Sequence, residues 1–393
     1  MCRERFSCVG ALSRANEQAL TARALDLGLP APRPLMRSCV VVPARNEEAT
    51  LERLVTALAG QRDLRGNLLA PSSYEVVLLL NNCTDRTATI ARELKLKYSR
   101  LQLHVAEVTF ASHEAHVGRA RQVIFDLAFK RFQFLHRCGG LILTTDADSR
   151  PAADWIAQTA AEIAAGVVGV GGRILLEPAE HATLSPGVRR LFLLDIGYRR
   201  ALEELRSLYA PEAHDPFPRH HQHFGASLAV TAAAYAAAGG IPLKRSCEDV
   251  ALYRAIVESG GRFRHSHRVR VYTSGRVTGR AQGGLADAIG WWGEQARGAI
   301  PVVVESAVAA EARLMQLGLW CRDNPASVPP AELAVTPEPP PPGQTAEIHA
   351  TIRALRERIE ALRTLSLATR LEPATHGSMD GWRQRIYAEA LTC

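Results

Sequence analysis

Cys39-Val40-Val41-Val42-Pro43-Ala44-Arg45-Asn46-Glu47-Glu48 passes within ten residues from a continuous apolar run to a polar, acidic one. An apolar run of this length, stopped by proline, reads as a strand buried on both faces. The helix predicted after it carries Leu51, Leu54, Val55 and Leu58 on one side. The unit then repeats. Val76-Val77-Leu78-Leu79-Leu80 leads into Asn81-Asn82-Cys83-Thr84-Asp85-Arg86-Thr87 and a helix with Ile90, Ala91 and Leu94. Leu101, Leu103 and Val105 alternate as a third strand, and a helix is expected from His116 to His136. Leu141-Ile142-Leu143 forms a fourth strand that ends in Thr144 and Asp146-Ala147-Asp148-Ser149. Buried strands that alternate with helices imply an α/β fold: a mostly parallel sheet flanked by helices. Ligands of such sheets bind beyond the carboxyl ends of the strands.

Beyond Gly172 the rhythm becomes α+β. A long amphipathic helix carries Leu191, Leu194, Tyr198, Leu202 and Leu205, and a His- and Pro-rich loop runs from His214 to His223. Strands are expected at Ser227 to Val230 and Val269 to Tyr272, with a helix from Glu248 to Ser259 between them. Pro337 to Pro342 reads as a stiff linker. Ile348, Ile352, Leu355, Ile359 and Leu362 then mark an amphipathic tail helix that docks on the main domain or on a second subunit, giving a homodimer. The expected divisions are a lead-in over residues 1–37, a main domain over 38–310, a linker over 311–343 and a helical tail over 344–393.

Composition narrows the class. The 393 residues are 47% hydrophobic, enough for a sizeable core, and carry a net charge of +7. Of 47 basic residues only Lys95, Lys97, Lys130 and Lys244 are lysines, and the arginines are scattered through an alanine-rich chain. No basic stretch is interleaved with aromatics, so nucleic acid is not an expected partner. The positive balance suits an enzyme of diphosphates or one that touches an acidic membrane surface. Eight cysteines without a CxxC pair point to a reducing compartment. No signal-peptide core or membrane-spanning run is seen, so a cytoplasmic protein is expected.

The chemistry gathers at the strand ends. Asp146-Ala147-Asp148 sets two carboxylates on one tight turn, where a hard divalent cation would keep positions open for diphosphate oxygens. Glu248-Asp249 opens a helix. For an isolated pair a favourable charge at a helix N-terminus is the simpler account, and a general base is the functional one. Arg276 and Arg280 flank Thr278 and Gly279 on a loop suited to a departing diphosphate. His220, His221 and His223 match no standard metal spacing and read better as an acceptor-side loop.

Val40 through Asp85, the Asp146-Ala147-Asp148 turn and the Glu248-Asp249 pair together resemble the family 2 glycosyltransferases of the GT-A fold. The resemblance spans roughly Ser38 to Gly284 and rests on the order and spacing of modest motifs. It implies transfer of a sugar from a nucleotide-diphosphate donor to an acceptor hydroxyl. Pro43, Ala44, Arg45, Asn46 and Glu47 would line the nucleotide pocket, with Asn81 and Asp85 near the base or ribose. Gly118 and Arg121 would join the donor-binding set. Asp146 and, chiefly, Asp148 would hold Mg2+ or Mn2+ and the donor diphosphate, with Asp249, beside Glu248, as the base of an inverting reaction. Gly225-Ala226-Ser227 resembles the acceptor-side wall. Asn81 departs from the aspartate usual in the family, and the Arg/Trp motif of processive synthases is not evident. Gly279 to Gly284 resembles instead the loop of soluble, single-transfer relatives. Two rivals differ in kind. A nucleotidyltransferase would need a basic glycine-rich loop where Glu47 and Glu48 stand. A non-catalytic nucleotide-sugar sensor would not need both acidic motifs. A retaining outcome remains an alternative within the fold.

Overall fold

The computed structural model describes residues 11–276, 284–298, 300–325 and 327–371. In chain order the first elements are α1 (Ala11–Arg23), β1 (Ser38–Ala44), α2 (Leu51–Ala59), β2 (Tyr74–Asn81), α3 (Thr87–Lys97), β3 (Leu103–Val108), α4 (Val117–Phe134) and β4 (Leu141–Thr144). They are followed by β5 (Ser149–Pro151), α5 (Trp155–Ala164), β6 (Gly169–Leu176), α6 (Pro178–Thr183), α7 (Pro186–Tyr209), β7 (Leu228–Thr231), α8 (Ala232–Ala237), α9 (Glu248–Glu258) and β8 (Phe263–Thr273). The last are α10 (Leu285–Gly298), β9 (Val303–Glu305), α11 (Ala307–Asp323), α12 (Ala331–Ala334), β10 (Thr345–Glu347) and α13 (Ile348–Leu371).

The described residues form two compact units. One takes the chain up to 185 together with 220–291, and the other takes 186–219 together with the residues from 292 on. The first unit is built on an eight-stranded sheet in the order β3-β2-β1-β4-β7-β6-β8-β5. Its first four strands are parallel: Val40 of β1 sits opposite Val76 of β2 and Leu143 of β4, and Leu78 of β2 opposite Val105 of β3. The chain steps outward from β1 to β3, then returns to place β4 on the other flank of β1. A crevice opens at such a reversal, at the carboxyl ends of β1 and β4. Beyond it β7 pairs antiparallel with β4 and β6, and β6 runs parallel to β8.

Alternate side chains of one strand enter opposite faces. Cys39 and Val41 join Val77, Leu79 and Ile142 beneath Phe125, Phe129 and Phe132 of α4 and Tyr235 of α8. Val40 and Val42 join Leu78 and Leu143 beneath Leu51, Leu54 and Leu58 of α2 and Trp155 of α5. Both sheet faces are thus covered by helices, which is why Cys39 to Val42, Val76 to Leu80 and Leu141 to Leu143 are unbroken apolar runs. The lead-in belongs to this unit: Leu20 is buried, and Arg23 makes a forked ion pair with Asp126 of α4 at 2.6 and 2.9 Å.

In the second unit α7, α11 and α13 share one core. Tyr198, Leu202 and Leu205 of α7 meet Leu314 and Leu317 of α11 and Ile352, Leu355, Ile359 and Leu362 of α13. The apolar stripe of the tail helix, expected to dock on the main domain or a second subunit, is covered within its own unit. Residues 311–343, expected as linker, hold most of α11 and all of α12. No described helix is long and apolar enough to cross a membrane.

Leu355 is fully buried in that core. Leu355→Ala should cost about 2–5 kcal/mol in chemical denaturation. A loss below about 0.5 kcal/mol, the range of surface changes, would show that α13 is not a core element.

Candidate active site

The polar ends of β1, β2 and β4, the start of α9 and the segment after β8 meet at the sheet crevice. Their backbones are laced together first. Asn46, with φ +55°, accepts the Thr84 N–H at 2.8 Å and donates from its amide to Thr84 Oγ1 at 3.1 Å. Thr87 Oγ1 accepts the Glu47 N–H at 2.7 Å, while Asp85 accepts from the Thr87 N–H at 3.0 Å and the Glu48 N–H at 3.3 Å. The loops after β1 and β2 are one hydrogen-bonded piece, and Asp85 helps to build it. Burial works against the Asp85 carboxylate, but the hydrogen bonds from Thr87 outweigh it and lower its pKa.

Charge organises the centre. Arg121 of α4 is buried and spans two acidic motifs. Its Nη2 lies 2.7 Å from Asp146 Oδ1 and its Nη1 bonds Glu248 at the head of α9. Burial disfavours the guanidinium charge, but Glu248, Asp146 and Asp249 more than compensate and raise its pKa. At the mouth Arg276 pairs with Asp148 at 2.8 Å and with Glu47 at 3.1 Å. Asp148 is fixed from behind by Arg53, which donates to its carbonyl at 2.9 Å and pairs with Glu180 at 2.8 Å. Glu180 in turn accepts the Gly275 N–H at 2.6 Å, which anchors the backbone next to Arg276.

Five carboxylates (Glu47, Asp146, Asp148, Glu248 and Asp249) therefore surround two guanidinium groups. Burial and this excess act together on the carboxylates. Burial, then the charge of Asp146, pushes Asp148 up to about 6 against the pull of Arg276. Burial raises Asp146 and Glu248 as well, with the charge of Asp249 adding to each against Arg121. A site of this kind is short of positive charge.

Asp249 differs from its neighbour. Glu248 is 1% exposed and committed to Arg121, whereas Asp249 is only half-buried. Its Oδ2 accepts the Gly225 N–H at 2.6 Å and its Oδ1 accepts from Val250 N–H at 2.8 Å, so two backbone donors aim the carboxylate.

The remaining expected residues fall as follows. Pro43 and Ala44 close β1 and are buried, and Asn81 ends β2, buried to 3% exposure. Arg45 is exposed and donates to the Ala115 carbonyl at 3.1 Å. Gly118 is a close-approach position: a Cβ there would stand 1.8 Å from the Lys244 carbonyl oxygen, so it packs the start of α4 against the segment before α9. Arg121 and Gly118, expected in the donor-binding set, make these contacts with protein groups. Arg280, with Thr278 and Gly279, lies outside the described residues. Arg53 and Glu180 were not singled out from the sequence, where one arginine among many gives no signal.

The two carboxylates of the Asp146 turn have the chemistry of a divalent-cation site. Among the described residues no group of three or more His, Cys, Asp or Glu side chains converges as a metal cluster. A pair is what Mg2+-type sites use when substrate phosphates and water fill the other positions.

Residues 39–208 match the family model described as Glycosyl transferase family 2. The matched stretch holds β1 through β6 and stops before Glu248 and Asp249. Among solved structures the chain is similar to a mannosyltransferase from Pyrobaculum calidifontis in complex with GDP-Man and Mn2+, at 18% identity over 97% of this chain and 89% of that chain, with a TM-score of 0.44. It is also similar to S. aureus TarS, at 17% identity over 61% of this chain and 37% of that chain, with a TM-score of 0.41. A third is glucosyl-3-phosphoglycerate synthase from Mycobacterium tuberculosis with Mn2+, uridine-diphosphate and phosphoglyceric acid, at 14% identity over 75% and 87% and a TM-score of 0.35. The chain thus spans little more than a third of the length of TarS. No curated protein matches it at a significant level.

Removing one partner of a buried ion pair leaves the other uncompensated. Arg121→Gln should therefore cost about 3–5 kcal/mol in chemical denaturation. Adding Glu248→Gln should recover part of that loss. A double variant no more stable than Arg121→Gln would show that the pair is not coupled.

Proposed function

We propose that this chain is a family 2 glycosyltransferase, the family whose model matches residues 39–208, and that it passes one sugar from a nucleotide-diphosphate donor to an acceptor hydroxyl, with a divalent cation and with inversion at the anomeric carbon. The observation that carries this reading is the carboxylate excess at the crevice, with Asp146 and Asp148 at its centre and Asp249 beside them. Mg2+ or Mn2+ held by Asp146 and Asp148 would supply the positive charge that makes the nucleoside diphosphate a good group to expel.

The chain's own residues do the rest. The laced loops after β1 and β2, from Pro43 to Glu47 and from Asn81 to Asp85, form the wall for the nucleoside. Their hydrogen bonds keep it in place before the donor arrives. Arg276 is the mobile charge of the site in chemical terms: a guanidinium that pairs with carboxylates also pairs with diphosphate oxygens. It stands ready to take the leaving group's negative charge, and Arg280 is assigned the same task. Asp249 removes the proton from the acceptor hydroxyl as its oxygen attacks the anomeric carbon and the bond to the diphosphate breaks, with the electron pair leaving on the diphosphate. Its two backbone donors leave the carboxylate fixed in direction. Glu248, turned to Arg121, sets the position of α9 and does not touch the substrate. Asp146 is held by Arg121 in the same way, so the metal turn and the base keep a fixed separation.

The test begins with hydrolysis of UDP-, GDP- and dTDP-sugars with and without Mn2+. At least one should be cleaved, and only with the ion. Asp249→Asn should then keep donor affinity within about twofold, by calorimetry with Mn2+, and lose about 10²–10⁴-fold in transfer. Normal turnover in that variant would overturn the role of Asp249.

A further inference from the structure

Strands β1 to β4 run the same way, so the segments that lead into them share one edge of the sheet, at the far end from the crevice. These are residues 24–37 before β1, 60–73 before β2, 95–102 at the end of α3 and 130–140 at the end of α4. They are joined side by side. The Arg37 N–H donates to the Ser73 carbonyl at 2.7 Å, and the Arg37 carbonyl accepts from the Leu141 N–H at 2.9 Å. The Gln102 carbonyl accepts from the Val76 N–H at 2.8 Å, and Arg137 Nη2 donates to the Pro34 carbonyl at 3.0 Å.

Charge is concentrated on this edge. The four segments carry ten Lys or Arg against two Asp, whereas the whole chain carries 47 basic against 40 acidic residues. No basic cluster is visible along the chain because the topology assembles it. Arg131 is buried against Glu75. Arg33, Arg37, Arg65, Lys95 and Arg100 are exposed and have no ion-pair partner among the described residues. Both aspartates are turned to their own backbone: Asp26 accepts the Gly28 N–H at 3.0 Å, and Asp63 accepts those of Arg65 and Asn67 at 2.9 and 2.8 Å. A cation in the last turn of a helix complements its dipole, which accounts for Lys95 and Lys97 of α3. It does not account for Arg33, Arg37, Arg65 or Arg100, which lie outside the helices.

Exposed apolar side chains follow the same distribution. Among the described residues of the first unit, six large apolar side chains are more than half exposed, and five of them stand on this edge: Leu35, Leu64, Leu68, Leu96 and Phe134. A singly exposed leucine is ordinary on a protein surface, but a gathering of them at one edge marks an interaction site. Leu64 and Leu68 belong to a hairpin closed by the Arg62–Leu68 bridge.

We propose that this edge docks the protein on an anionic lipid bilayer. Basic side chains are drawn to the negative surface of such a membrane, and apolar side chains between them enter the boundary of headgroups and acyl chains. A nucleic-acid face would carry aromatic rings on which bases stack, and four of these five side chains are leucines. A second copy of the chain would set like charges against like. Because the edge lies at the opposite end of the strands from the Asp146 turn, docking leaves the crevice open.

The test is sedimentation of the full chain with vesicles of phosphatidylcholine alone and of an equal mixture of phosphatidylcholine and phosphatidylglycerol, at low and high salt. Binding is expected to the mixed vesicles only, and salt should weaken it. Lys95→Gln with Arg100→Gln should weaken it about 25-fold, about fivefold for each charge. Leu96→Ser with Phe134→Ser, which leaves every charge in place, should weaken it about tenfold. All four positions are exposed, so the fold is kept. Leu64→Ser with Leu68→Ser replaces the second pair if circular dichroism shows otherwise. Equal binding to neutral vesicles, no binding to either kind, or mixed-vesicle binding unchanged in either variant would overturn the proposal. Two further results would overturn it by naming another occupant. One is a dimer of the unaltered chain that dissociates on Leu96→Ser with Phe134→Ser. The other is tighter binding to a single-stranded oligonucleotide than to vesicles, lost on Lys95→Gln with Arg100→Gln.

Discussion

The buried guanidinium of Arg121 is the constraint on which the site depends. It joins α4 to the turn after β4 on one side and to the head of α9 on the other, through Asp146 and Glu248. An isolated charge in that position would be prohibitively costly, so the two acidic motifs must stay within its reach for the fold to persist. The separation between the Asp146 turn and the head of α9 is thereby set by a requirement of stability.

The same arrangement leaves a deficit. Arg121 and Arg276 do not match the carboxylates around them, and burial first, then the charge of neighbouring carboxylates, holds Asp148 and Asp146 above the ordinary aspartate range. Perturbed carboxylates of this kind cluster at functional sites. Arg276 holds Asp148 and Glu47 from a segment at the edge of the sheet, anchored by Glu180. Of the two arginines, Arg121 is buried and Arg276 half-buried.

Much of this was legible in the sequence, and the limits have physical causes. Strands β1, β2 and β4 announce themselves because both of their faces are buried, so each reads as an unbroken aliphatic run ending in polar residues. Strands β5 and β6 do not. Ser149-Arg150-Pro151 is three residues long, and Gly169 to Gly172 holds three glycines, which favour no pattern. The stripe from Ile348 to Leu362 was visible as a helix, but its partner, α7, lies some 150 residues earlier, and periodicity does not name a distant partner. The prolines from 337 to 342 suggested a longer linker than the helices α11 and α12 allow. In the site, Asp146, Asp148 and Asp249 stood out by position at strand and helix ends. That Glu248 and not Asp249 pairs with Arg121 did not, because adjacent residues on a helix point about 100° apart and only the fold says which one meets Arg121. Arg53 was hidden by abundance in a chain whose basic residues are nearly all arginine, whereas Arg121 and Arg276 were singled out as donor contacts and not as the partners of Asp146, Glu248 and Asp148.

The central claim is that the Asp146 turn receives a cation together with a nucleoside diphosphate, in exchange for Arg276. Crystals of the full chain grown with Mn2+ and a nucleoside diphosphate, measured at the manganese absorption edge, test it most directly. The account predicts one anomalous peak in ligand contact with Asp148, with Arg276 moved from Asp148 to the diphosphate. A manganese peak elsewhere, or a bound nucleotide with Arg276 still paired to Asp148, would contradict it.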